Sequence, residues 1–184
     1  MLFIFNFLKL SKKNNSRNRK SSNESYQRDK YLEAMKEIEE KKFVNDKRTK
    51  ELYGKLDNLT KNALIDRHFY YNNVIDYYYG LRDKEIDAID KCIHYCKEDI
   101  KITPQVLNLM KSDKMFKHYN EEGKLVFTPP RFPSFQRLAI IYDSQGKYQE
   151  AINVCKKAIK HNLKDGTKTG FEGRIKRLEK KLYK

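Results

Sequence analysis

Cys92 and Cys96 stand four residues apart with His94 between them. On a helix, positions i and i+4 share a face, so two thiolates there could hold a soft metal ion. The wider pattern argues otherwise. There is no Cys-x-x-Cys pair, and the four histidines are scattered at 68, 94, 118 and 161. The three cysteines, Cys92, Cys96 and Cys155, are expected as reduced thiols that pack like small apolar residues, and neither a metal nor a cofactor is expected. Residues 67–79 (RHFYYNNVIDYYY) hold six aromatics, which could stack on the bases of single-stranded nucleic acid. The favoured alternative is the buried face of a helix carrying Tyr71, Ile75, Tyr78 and Tyr79, with hydroxyls at its edge. Gly166, Gly170 and Gly173 precede a helix but lack the order GxxxxGK[ST] of a phosphate loop. A modest anion site built from Lys168, Gly170, Gly173 and Arg174 remains a candidate. No nucleophile–base pairing, paired-carboxylate motif or metal spacing stands out, so an enzyme is not expected.

The chain opens MLFIFNFLKL. This run is much shorter than the roughly 20 residues that span a bilayer, and it lacks the layout of a secretory signal. It could lie in a membrane interface with Phe3, Phe5 and Phe7 inserted and Lys9, Lys12 and Lys13 near anionic headgroups. Otherwise it packs on the helical body or is merely a frayed end. Residues 11–25 contain no apolar residue and are expected to be a disordered linker.

The net charge of +15 is unevenly spread. Residues 1–20 carry six basic groups and no acid; residues 21–120 carry 19 basic and 18 acidic groups; residues 121–184 carry 15 and 7. A basic excess can mark nucleic-acid or membrane partners. The excess is lysine, however, with 30 Lys against 10 Arg, and arginine is the residue suited to bidentate phosphate and base contacts. A solvated lysine-rich surface is the preferred reading.

The elements that must position these residues are helices. The 184 residues, 39% hydrophobic and 35% charged with only 7 Gly and 4 Pro, suit one helical domain with a tail. Residues 26–60 read as two polar helices, one over 26–42 with Tyr31, Met35 and Ile38 in a stripe, the next over 45–59 with Leu52, Leu56 and Leu59. A helix is expected from Lys84 to about Asp99, burying Ile86, Ile89, Ile93, Cys96 and Ile100. Thr103-Pro104 then reads as the start of another, running to about His118 on Val106, Leu107, Met110, Met115 and Phe116. Residues 119–133 are expected to be a loop, with Pro129 and Pro130 excluding helix.

Residues 132–165 predict two helices joined by a tight turn. The first carries Phe135, Leu138, Ile141 and Tyr142 inward; Gly146 closes it in the left-handed conformation; the second carries Tyr148, Ala151, Ile152, Cys155, Ala158 and Ile159. Small Ala139, Ala151 and Ala158 allow close approach, giving an antiparallel αα-hairpin. The spacing of Phe135, Leu138, Ala139 and Tyr142, the turn Gln145-Gly146-Lys147-Tyr148, and Ala151-Ile152 with Ala158 resembles the tetratricopeptide repeat, with Leu163 where the family has its closing proline. A degenerate copy lies 63 residues upstream: Ala88-Ile89 with Cys92 repeats Ala151-Ile152 with Cys155, and Tyr79 parallels Tyr142. There Tyr95 replaces Ala158 and Asp76 replaces Ala139. The block from Phe132 to Arg174 is also similar to one in small, uncharacterised bacterial repeat proteins.

The expectation is an all-α domain over 61–184, in which antiparallel hairpins stack as a short solenoid with a C-terminal capping helix. The resemblance implies a module that binds a peptide or protein in a groove lined by first helices, here Arg131, Gln136, Arg137, Ile140 and Asp143. Of these, only Arg137 suits the family's carboxylate clamp. The expected function is a cytoplasmic protein-interaction scaffold, with its N-terminus tethered to a membrane surface if residues 1–20 insert. The alternative is a basic nucleic-acid-associated helical protein.

Overall fold

The computed structural model describes residues 63–183 continuously, and before them residues 30, 33–34, 37, 51–55 and 57. The N-terminal candidates Phe3, Phe5, Phe7, Lys9, Lys12 and Lys13, the linker 11–25 and most of the two polar helices lie outside the described residues. The chain divides into two compact units at residue 62. In the first, the described positions are helical, with Ala34, Leu52 and Tyr53 buried.

The second unit is mostly helical. Its elements are α1 (Leu64–Gly80), α2 (Ala88–Ser112), a short 3-10 turn (Lys114–Phe116), strands β1 (Lys117–Tyr119) and β2 (Leu125–Phe127), then α3 (Pro133–Ser144), α4 (Tyr148–Lys160) and α5 (Gly170–Leu182). Helices α1 and α2 pack as one hairpin and α3 and α4 as a second; α3 also packs on α1 and α2, and α5 on α4.

The α3/α4 hairpin follows its local code. Pro133 sits at the first turn of α3, where its missing N–H costs nothing. Phe135, Leu138, Ala139 and Ile141 are buried, and Tyr142 half-buried. At the end of α3, Gly146 adopts φ +72°. Lys147 N–H returns to Tyr142 O and Gly146 N–H to Asp143 O, the paired bonds that satisfy the last carbonyls of a helix. The end of α4 repeats the device with Asn162 at φ +55°: Leu163 N–H reaches Ala158 O and Asn162 N–H reaches Ile159 O. Buried Leu163 supplies the apolar contact that accompanies this cap. From α4, Ala151, Ile152, Cys155 and Ala158 go inward, and Phe171 fixes α5. In the first hairpin, Ala88 and Cys92 are as fully buried as Ala151 and Cys155.

Three expectations are corrected. First, Lys84–Asp99 and Pro104–His118 are not separate helices. Residues 81–87 turn, and one 25-residue helix, α2, runs through Pro104. Proline in a helix interior costs about 3 kcal/mol, and Pro104 stands on the exposed side of α2. Burial of Val106 and Met110 beyond the proline favours continuing the helix. Second, the buried stripe of α2 is Ala88, Cys92, Cys96, Asp99, Thr103, Val106 and Met110. Ile86 is fully exposed, while Ile89, Ile93 and Ile100 are only half-buried. Third, residues 117–127 form an antiparallel hairpin instead of a helix end and a loop, with Lys117 opposite Phe127 and Tyr119 opposite Leu125. Its turn is held by Asn120, whose Oδ1 accepts from Lys124 N–H, and by Gly123 at φ +71°. In α1 the buried tyrosines are Tyr70, Tyr71 and Tyr77, whereas Tyr78 and Tyr79 are half-buried.

Candidate functional site

Three polar clusters are built where these helices meet. The first is internal. His68 on α1 and Asp99 on α2 are both 0% exposed, and the imidazole Nδ1–H donates to Asp99 Oδ1 at 2.7 Å. Ser134, in the first turn of α3, donates its hydroxyl to Asp99 Oδ2 at 2.5 Å. Asn72 Nδ2 donates to His68 Nε2 at 3.1 Å and to Arg131 O at 3.3 Å. The tautomer follows from this network: a carboxylate only accepts, so the proton sits on Nδ1 and Nε2 accepts. The ring also stacks on Phe132, centroids 4.0 Å apart. Histidine, carboxylate and serine are brought together, but the hydroxyl bonds the carboxylate and not the imidazole. No group of the three is presented to solvent, so the cluster works as a clasp holding α1, α2 and the start of α3. Sequence reasoning missed it. The available signal was that Asp99 and Thr103 lie in phase with Cys92, Cys96, Val106 and Met110.

The second cluster contains most of the candidate groove residues. Arg131 and Arg137 converge on Asp76 of α1: Arg131 Nη1 donates to Oδ2, and Arg137 Nε and Nη2 to Oδ1, each at 3.2 Å. The Arg137 guanidinium also lies 4.2 Å from the Tyr79 ring centroid, a favourable cation–π placement. Asp143 accepts from Lys181 Nζ of α5 at 2.6 Å. Gln136 Nε2 donates to Asp165 O at 2.7 Å, and Ile140 is half-buried. Ion pairs therefore tie Arg131 and Arg137 to α1 and Asp143 to α5. Arg131 and Gln136 also line a cavity of about 300 Å³ between the 128–133 and 162–166 segments.

The third cluster holds the candidate anion residues. Arg174 Nη2 donates to Asp165 Oδ2 at 3.1 Å, and the Asp165 side chain is fully buried. Thr167 donates to Asp165 Oδ1 through both its amide and its hydroxyl, at 2.9 and 2.6 Å. Burial alone would raise the Asp165 pKa, but these bonds and the Arg174 charge outweigh it and hold the carboxyl below its ordinary 3.8. Gly170 N–H bonds Thr167 O and Gly173 N–H bonds Thr169 O. A Cβ at Gly173 would lie 2.3 Å from Thr169 Cβ and Oγ1, so close approach explains that glycine. Lys168 is exposed.

The tyrosines of α1 pack among themselves and against α2. Tyr78 stacks on Tyr95 with centroids 5.8 Å apart and planes within 7°, and Tyr70 meets Tyr95 edge-on. Burial raises the Tyr78 hydroxyl pKa. The thiols of Cys92, Cys96 and Cys155 are free and buried. Burial pushes Cys96 well above its ordinary range and Cys155 up to about 11. Among the described residues no three acidic, histidine or cysteine side chains group as a metal site, and no helix is long and apolar enough to cross a membrane.

Comparisons with protein-family models, curated proteins and solved structures find no match.

Proposed function

We propose that this chain is a protein-interaction module in which helical hairpins, stacked in the tetratricopeptide manner, offer a face of α1, α3 and α5 to a peptide or protein segment. The observation that carries this reading is the convergence of Arg131 and Arg137 on the single carboxylate of Asp76, with Arg137 also held over Tyr79. Two cations share one anion, which leaves a positive excess for a partner's carboxylate. Side chains already fixed lose less rotamer freedom on binding, which favours affinity. The spacing of Phe135, Leu138, Ala139 and Tyr142 and the Gly146 cap support the repeat reading. An N-terminal tether would add apolar burial and charge at a membrane surface.

Capture of partners from native lysate by the tagged full chain, with and without nuclease, tests the reading. A discrete protein that survives nuclease and is lost on Arg137→Glu is the expected result. Recovery of nucleic acid alone would overturn it. That outcome belongs to a second reading, a nucleic-acid-associated protein, favoured by the exposed lysines 156, 157, 160, 164, 168, 176 and 180 on and between α4 and α5.

A further inference from the structure

A separate cleft of about 430 Å³ lies between the two hairpins, on residues other than those of the α1/α3/α5 face. Its floor is mostly apolar: Leu138 and Val154 are buried, Ile100 and Tyr142 are half-buried, and Asn153 stands exposed at the edge. Its rim is cationic. Lys97 and Lys101, one turn apart on α2, border one side, and Lys157 on α4 borders the other. The single acid on the rim is Glu150. All four charged groups are exposed, and among the described residues none is engaged in an ion pair. Arg131 and Arg137, by contrast, are paired with Asp76, and Lys181 with Asp143.

We infer that this cleft is a docking site for an acidic amphipathic helix of a partner protein. The apolar floor calls for aliphatic side chains at helical spacing, the lysine rim calls for flanking glutamates or aspartates, and a trough between two helices is the kind of groove an amphipathic helix fills. The volume falls in the ligand-pocket range of about 300–1,000 Å³, enough for a few inserted side chains. Nucleic acid would satisfy the rim and leave the aliphatic floor empty. A flat bilayer would meet the rim before reaching the floor.

The test uses the full chain and a fluorescent peptide of about four helical turns, with leucines at i, i+4, i+7 and i+11 and glutamates flanking that stripe. A scrambled peptide of the same composition, a single-stranded oligonucleotide and phosphatidylserine vesicles serve as competitors. The expected result is at least tenfold tighter binding of the striped peptide than of the scrambled one. Lys97→Glu with Lys101→Glu should weaken it at least tenfold, about 1.4 kcal/mol. Lys176→Glu with Lys180→Glu on α5 makes the same change in net charge and should leave binding within twofold. If the α2 double variant loses helicity, Lys157→Glu reads the same rim from α4. Equal binding of the scrambled peptide, equal loss with both double variants, or displacement by the oligonucleotide or vesicles at lower concentration would overturn the assignment.

Discussion

Replacing Asp99 by alanine should be among the most damaging single changes in the domain, and replacing it by asparagine should not. Asp99 is 0% exposed, and its two oxygens accept from His68 Nδ1–H and Ser134 Oγ–H. Alanine leaves both donors buried without partners, at about 1–3 kcal/mol each, and the vacated space adds a packing loss. The sum is about 3–7 kcal/mol, a large part of the roughly 5–15 kcal/mol that holds a typical domain together. Asparagine keeps the shape. Its Oδ1 can accept from His68 while its Nδ2 donates to the Ser134 oxygen, since a hydroxyl is acceptor as well as donor. The expected cost is then about 1–2 kcal/mol. Urea unfolding followed by circular dichroism at 222 nm measures both values. An Asp99→Ala cost under about 1 kcal/mol, or equal costs for the two variants, would refute the reasoning, because either result means that the hydrogen bonds to Asp99 do not set its worth.

Other consequences follow from single features. Gly146→Ala should destabilise by about 1 kcal/mol, because φ +72° suits glycine, whereas Asn162→Gly should be neutral or slightly stabilising; thermal melts compare the two. The lowered pKa of Asp165 means that the folded state binds its proton less readily than the unfolded chain. Its contribution is therefore complete above the ordinary value of 3.8 and is lost as pH falls below it. Arg174→Met should shrink that acid-dependent part of the stability profile. Cys155, with its thiol pushed up to about 11, should react with a disulfide reagent at pH 8 only as fast as the domain opens, so urea should accelerate labelling in step with unfolding.

The second hairpin was legible because its determinants are local. Phe135, Leu138 and Ala139 set one face, Gly146 ends the helix, and Ala151, Cys155 and Ala158 set the next, all within about thirty residues. The clasp was not legible. Asp99 read as the end of one helix and Thr103 as the start of the next, and the partners that hold Asp99 inside are His68, 31 residues away, and Ser134, 35 residues away. Pro104 misled for a related reason: its local preference for a helix start was overridden by packing on both sides. The β1/β2 hairpin was hidden by its length, since three residues per strand give too little alternation to separate it from a loop. At the candidate groove, the residue types pointed to Arg131 and Arg137, but their shared partner Asp76 appears only when α1 packs beside α3.

If the chain is an interaction module, its hold on a captured protein should survive salt. Retention of that partner by the full chain between about 50 and 200 mM salt is the measurement to make. The proposed module predicts a fall of at most about tenfold, since surface charge is only partly screened over this range and apolar burial is retained. A loss of about a thousandfold or more is what a protein held by many phosphate contacts would give, and it would contradict the proposal.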